Sequence, residues 1–162
     1  MTTQSTTLSA ESKVATYLAG ISTLRSSVAG LSAAQINRRC APGTWSIMEI
    51  ILHMVDCDIS ATHRMRRIAA ENSPLLASFD ENALIDRLDN ASMDFAEALD
   101  LFEANRKFTA RWLRTLPSEA FERAGIHTQR GKMTLGEILE NYTKHVDHHD
   151  VFVRGKRKSM GV

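Results

Sequence analysis

The chain has 162 residues, the length of one domain with a single core. Glycine (8) and proline (3) make up about 7% of it, against roughly 12% in an average protein, and aromatic residues are 6%. That scarcity of breakers speaks against a barrel or sandwich of many short strands. Lys and Arg number 20 against 19 Asp and Glu, a net charge of +1, so no overall field gathers nucleic acid, and no apolar run approaches the ~20 residues of a membrane span. Neither nucleic acid nor a membrane is an expected partner.

The first residues, MTTQSTTLSAESK, lack a basic start followed by an apolar run. Residues 1–8 read as a flexible polar arm. The two cysteines, Cys40 and Cys57, have no metal-clip spacing, and a cytoplasmic protein with reduced thiols is the expectation.

From Ser9 to Gly30 the apolar residues Val14, Leu18, Ile21, Leu24 and Val28 recur with helical period. A second helix is predicted from Ser46 to Asn72, opened by the capping box Ser46-Ile47-Met48-Glu49 and closed before Pro74. A short helix is expected over Asn82–Leu88. A third long one runs from Ser92 to Leu116, with Phe95, Leu99, Phe102, Phe108, Trp112 and Leu116 as its apolar positions. The last runs from Thr134 to Arg154 behind a second capping box, Thr134-Leu135-Gly136-Glu137. Segments 31–44 and 117–133 are left as loops. Four amphipathic helices make an all-α four-helix bundle over residues 9–154, in plain up-and-down order or with one crossover. Residues 155–162 form a basic C-terminal tail whose cations suit a helix end.

Helical geometry places the histidines. With about 100° per residue and Leu135 at zero, the apolar stripe of the last helix centres at about 340°. His149 falls inside it at about 320°, His145 on its flank at about 280°, and His148 points away at about 220°. On the second helix, with Ile47 at zero, His53 lies on the stripe's flank at about 240°, Cys57 at about 280° and Asp58 inside at about 20°, while Asp56, at about 180°, lies off it. Two imidazoles four residues apart and a third on another helix are a way to hold a transition metal with open coordination. Three separate hydrogen-bonded core histidines, or a polar helix end, would leave the same pattern. Cys57 reads as a small buried hydrophobe, Trp45 as packing at the helix start and Asp80 as a loop or capping residue. His63 and His127 are expected at the surface.

Trp45-Ser46-Ile47-Met48-Glu49-Ile50-Ile51-Leu52-His53 and Thr134-Leu135-Gly136-Glu137 followed by His145-x-x-x-His149 together resemble the DinB/YfiT-like superfamily. Ala41-Pro42-Gly43-Thr44-Trp45 and Ser78-Phe79-Asp80-Glu81 resemble its YfiT branch. The resemblance spans about residues 10–153 and implies a four-helix bundle of unusual crossover order, with His53, His145 and His149 as metal ligands. It implies a divalent transition metal, zinc or nickel foremost, and a metal-dependent enzyme of the thiol S-transferase or hydrolase type acting on a small molecule. A low-molecular-weight thiol cosubstrate and a homodimer are further expectations. The alternative is a non-catalytic, stress-associated bundle that binds a metal or small ligand. Asp56, Asp58 and Tyr142 are the candidate catalytic residues. Asp147 and Asp150 join the two aspartates as carboxylates able to orient the imidazoles.

Overall fold

In the computed structural model, residues 9–162 are described; the polar arm at 1–8 lies outside them. Four long helices form the bundle: α1 (Ala10–Val28), α3 (Ile47–Ala70), α5 (Phe95–Leu113) and α6 (Leu135–Met160). Short helices α2 (Ala33–Ile36) and α4 (Glu81–Arg87) lie in the connections. Both capping boxes form. Ser46 accepts from the Glu49 amide and Thr134 from the Glu137 amide, and each glutamate returns to its cap's backbone N–H. They place the starts of α3 and α6 at Ile47 and Leu135.

Around the bundle, α1 packs on α6 and α5, and α3 packs on the same two, so α1 and α3 are diagonal, as are α5 and α6. The connections at 29–46 and 114–134 therefore both cross the bundle, so neither plain up-and-down order nor a single crossover holds. Two apolar clusters fill it. One gathers Val14, Tyr17, Met65, Ile68, Leu135 and Leu139; the other gathers Leu24, Ile51, Met54, Phe102, Val146 and Val153.

Segment 117–133 is not a plain loop. It holds a 3-10 turn (Ser118–Glu122) and strands β2 (Ala124–His127) and β3 (Gly131–Thr134). β2 pairs antiparallel with β3 and parallel with β1 (Leu75–Leu76), with Leu75 opposite Ile126. Gly131, at φ +72°, supplies the left-handed residue that closes the short hairpin. This small sheet ties the chain after α3 to the chain before α6. It also buries His127, which is 8% exposed rather than at the surface. Phe108, assigned to the apolar stripe of α5, is instead 51% exposed and lies under the Arg66 guanidinium. The basic tail is helical: α6 runs on to Met160, and Arg157 donates to the carbonyls of Ser27 and Ala29 at the end of α1.

One polar cluster crosses the core. Arg106 on α5 donates to both carboxylate oxygens of Asp58 on α3 (3.0 and 2.8 Å) and to the carbonyls of Tyr17 on α1 (2.7 Å) and Tyr142 on α6 (2.8 Å). The Tyr17 hydroxyl donates to the same carboxylate at 3.0 Å. All four long helices meet on this guanidinium.

Candidate functional site

The capped start of α3 fixes its second turn, where His53 is buried with the Trp45 ring 5.0 Å away. Adjacent α6 brings His145 and His149 to the same place. His145 Nε2 lies 3.2 Å from His53 Nε2 and 3.0 Å from His149 Nε2. The rings of His53 and His149 have centroids 4.8 Å apart. His148 is exposed, as its angle on the helix requires.

Burial and mutual repulsion keep these rings neutral. Burial, then the neighbouring His149 and His53, pushes His145 down to about 3. Burial, then His53, pushes His149 down to about 4. Burial lowers His53 as well, against a partial upward pull from Glu81. A single imidazole N–H cannot satisfy two facing nitrogens at once, so the approach of two ring nitrogens to His145 Nε2 suits a cation shared with it. Two nitrogens at the usual ~2.05 Å from a tetrahedral ion stand about 3.3 Å apart, close to the spacings seen.

Cys57, one turn after His53, joins this cluster. Its Sγ is 3.7 Å from both ring nitrogens of His53, and His53, Cys57 and His145 have ligand atoms all within 4.8 Å of one another. Burial, and then Glu81, Asp56 and Asp58, pushes the thiol up and keeps it protonated. Glu81, at the start of α4, is the carboxylate at the site, with Oε2 3.9 Å from His53 Nδ1 and Oε1 3.9 Å from the Cys57 sulfur. Its neighbour Asp80 caps α4 by accepting from the Ala83 amide, which positions Glu81. Nothing periodic marked Glu81 in the sequence; its signal was its place directly after a helix-capping aspartate.

The candidate catalytic residues divide. Asp58 is inside, as its angle requires, but both its oxygens are engaged by Arg106. Tyr142 Oη accepts from Arg64 Nη1 at 3.0 Å and lies beside His145, with burial raising its pKa to about 12. Asp56 is half-buried, and burial raises its pKa. Asp150 pairs with Arg154 and Asp147 is exposed.

Two cavities flank the cluster. One, of about 120 Å³, is walled by Cys57, Glu81, Tyr142 and His145 together with Arg64, His127 and Arg130. The other, of about 580 Å³, is more apolar and is walled by His149 with Trp45, Ile50, Val151 and Phe152. The site is therefore approachable from two sides.

The chain is similar to known proteins over most of its length. It is 28% identical over 139 residues to a protein of Bacillus licheniformis, covering 85% of this chain and 79% of that one. To YfiT of Bacillus subtilis it is 26% identical over 140 residues, covering 85% of this chain and 78% of that one. Both relatives carry the name "Putative metal-dependent hydrolase". The solved structure of Bacillus subtilis YfiT has the same fold, with a TM-score of 0.87 at 22% identity over 99% of this chain and 94% of that one. The mycothiol-dependent maleylpyruvate isomerase shares it at a TM-score of 0.71 and 17% identity, over 89% of this chain and 60% of that longer one. No described helix is long and apolar enough to cross a membrane. The family model of the DinB superfamily matches residues 17–152, and with that match the chain belongs to the DinB superfamily.

Proposed function

We propose that His53, His145 and His149 hold one divalent transition metal and that the protein is a metal-dependent enzyme acting on a small molecule, by transfer of a low-molecular-weight thiol or by hydrolysis. The observation that carries this reading is the approach of His53 and His149 to a common partner, His145 Nε2, at 3.2 and 3.0 Å. A divalent ion held there would acidify a bound thiol or water. Glu81 lines the small cavity and its carboxylate stands 3.9 Å from His53 Nδ1, the ring nitrogen that does not face His145, which suits it to orient that ring. The names of the relatives favour hydrolysis, and the mycothiol-dependent neighbour in fold favours a thiol.

The placement of Cys57 allows a second ligand set, His53, Cys57 and His145. Elemental analysis of protein purified without an affinity tag separates the two. With three histidine ligands, the wild type and Cys57→Ser carry one ion per chain and His149→Ala carries almost none. Metal kept by His149→Ala and lost by Cys57→Ser assigns the ion to the cysteine set. A panel of thiols with electrophiles, esters and amides then tests catalysis. A stoichiometric metal with no turnover across that panel leaves a non-catalytic binding protein.

A further inference from the structure

The smaller cavity has a wall that the metal reading does not use. Arg64 on α3 is only 7% exposed. Two of its N–H groups are taken by neutral oxygens, the Tyr142 hydroxyl and the Ala77 carbonyl, and among the described residues no carboxylate pairs with it. A guanidinium has five N–H donors, and burying its charge without a counterion is costly. Arg130, on the β2–β3 turn, lines the same cavity and has no carboxylate partner among the described residues either. His127 stands on the wall with them. Its Nδ1 accepts the Gln129 amide N–H at 3.2 Å, so a neutral ring carries its proton on Nε2 and offers a donor. Burial and both guanidiniums lower the His127 pKa, which keeps that ring neutral. Against these donors stands one acid of the lining, Glu81, which lies beside His53 and Cys57.

We propose that this cavity receives a carboxylate group of the substrate, held by Arg64, Arg130 and the Nε2–H of His127, so that the enzyme acts on carboxylate-bearing small molecules. A volume of about 120 Å³ is that of about four waters, enough for a carboxylate and the one or two carbons that carry it. His145 and Cys57 line the same space, so a group anchored there presents the adjoining part of its molecule to the imidazole cluster. The small sheet builds the site: the pairing of β1 with β2 brings His127 and the β2–β3 turn over Arg64.

This proposal rests on the functional reading above for its chemistry, but its test does not need the metal. Chelator-treated protein is titrated with succinate, or with the neutral diamide of the same skeleton, into the tens of millimolar. The backbone amide NMR shifts of Thr128 and Gln129 are followed. Succinate is expected to give saturable shifts and the diamide none. Arg130→Met should weaken succinate about tenfold, or about 1.4 kcal/mol. His127→Gln should weaken it several-fold. Arg64→Lys, chosen because Arg64 also braces Ala77 and Tyr142, should weaken it while the circular dichroism stays that of the wild type. The proposal is overturned by an absence of saturable shifts in the metal-free wild type, by an equal response to the diamide, or by unchanged affinity in Arg130→Met and His127→Gln. Succinate binding that appears only after zinc is added also overturns it, because the carboxylate then sits on the ion.

Discussion

Replacing Arg106 with methionine removes a cation on which all four long helices converge. The guanidinium is 0% exposed and its partner Asp58 1%. The loss leaves a buried carboxylate with only the Tyr17 hydroxyl at 3.0 Å and the Asn105 amide at 3.4 Å. Breaking a buried pair from one side costs about 3–5 kcal/mol, because the remaining charge has neither water nor counterion. In a domain of this length that lowers the melting temperature by roughly 6–20 °C. Replacing both partners by apolar residues of similar size removes the orphaned charge together with the pair. The backbone carbonyls of Tyr17 and Tyr142, each inside a helix, keep their own N–H partners. Asp58→Leu/Arg106→Met should therefore be more stable than Arg106→Met in urea unfolding followed by circular dichroism at pH 7. Costs of the two single changes that simply add in the double variant would refute the reasoning. Retention of metal by the double variant would further show that Asp58 serves the helices rather than the histidine cluster.

Other outcomes follow from the same packing. In the metal-free protein His145 is held at about 3 and His149 at about 4, against 6.5 in an unfolded chain. Between those values the unfolded chain binds more protons. Stability should thus fall as the pH is lowered from about 7 towards 4, by about 1.4 kcal/mol per pH unit for each histidine, and a flat urea midpoint across that range contradicts this. Gly20 lies where a Cβ would collide with Arg106 Nη1 and come within 3.1 Å of Val146 Cγ2. Gly20→Ala should lower stability by about 1–3 kcal/mol despite alanine's better helix propensity, read by calorimetry. A rise in melting temperature would mean that the guanidinium moves aside freely.

The long helices were legible because their signals are local. Apolar residues recur every three or four positions, and the two capping boxes begin where Ser46 and Thr134 stand. Rotation per residue also separated buried His149 from exposed His148. Partners contributed by other elements were not legible. Asp58 pointed inward on angle alone, yet its counterion lies 48 residues away. The clue to it was the position of Arg106 four residues after Phe102 on the buried stripe of α5. His127 and Arg64 meet through strand pairing between 75–76 and 126–127, a register that two-residue strands announce too weakly to read. The ring order of the helices was open for a similar reason: connections of that length reach a diagonal neighbour as easily as an adjacent one.

His53 and His145 stand 92 positions apart in the chain, whereas His145 and His149 share one turn of helix. An ion gripped by the second pair alone would decorate α6 and constrain nothing else. Gripped by all three, it would be a removable clasp between α3 and α6, and because it would bind the folded bundle and not the unfolded chain, it would raise stability in step with its concentration over its Kd. Loading the centre and locking the bundle are then one event.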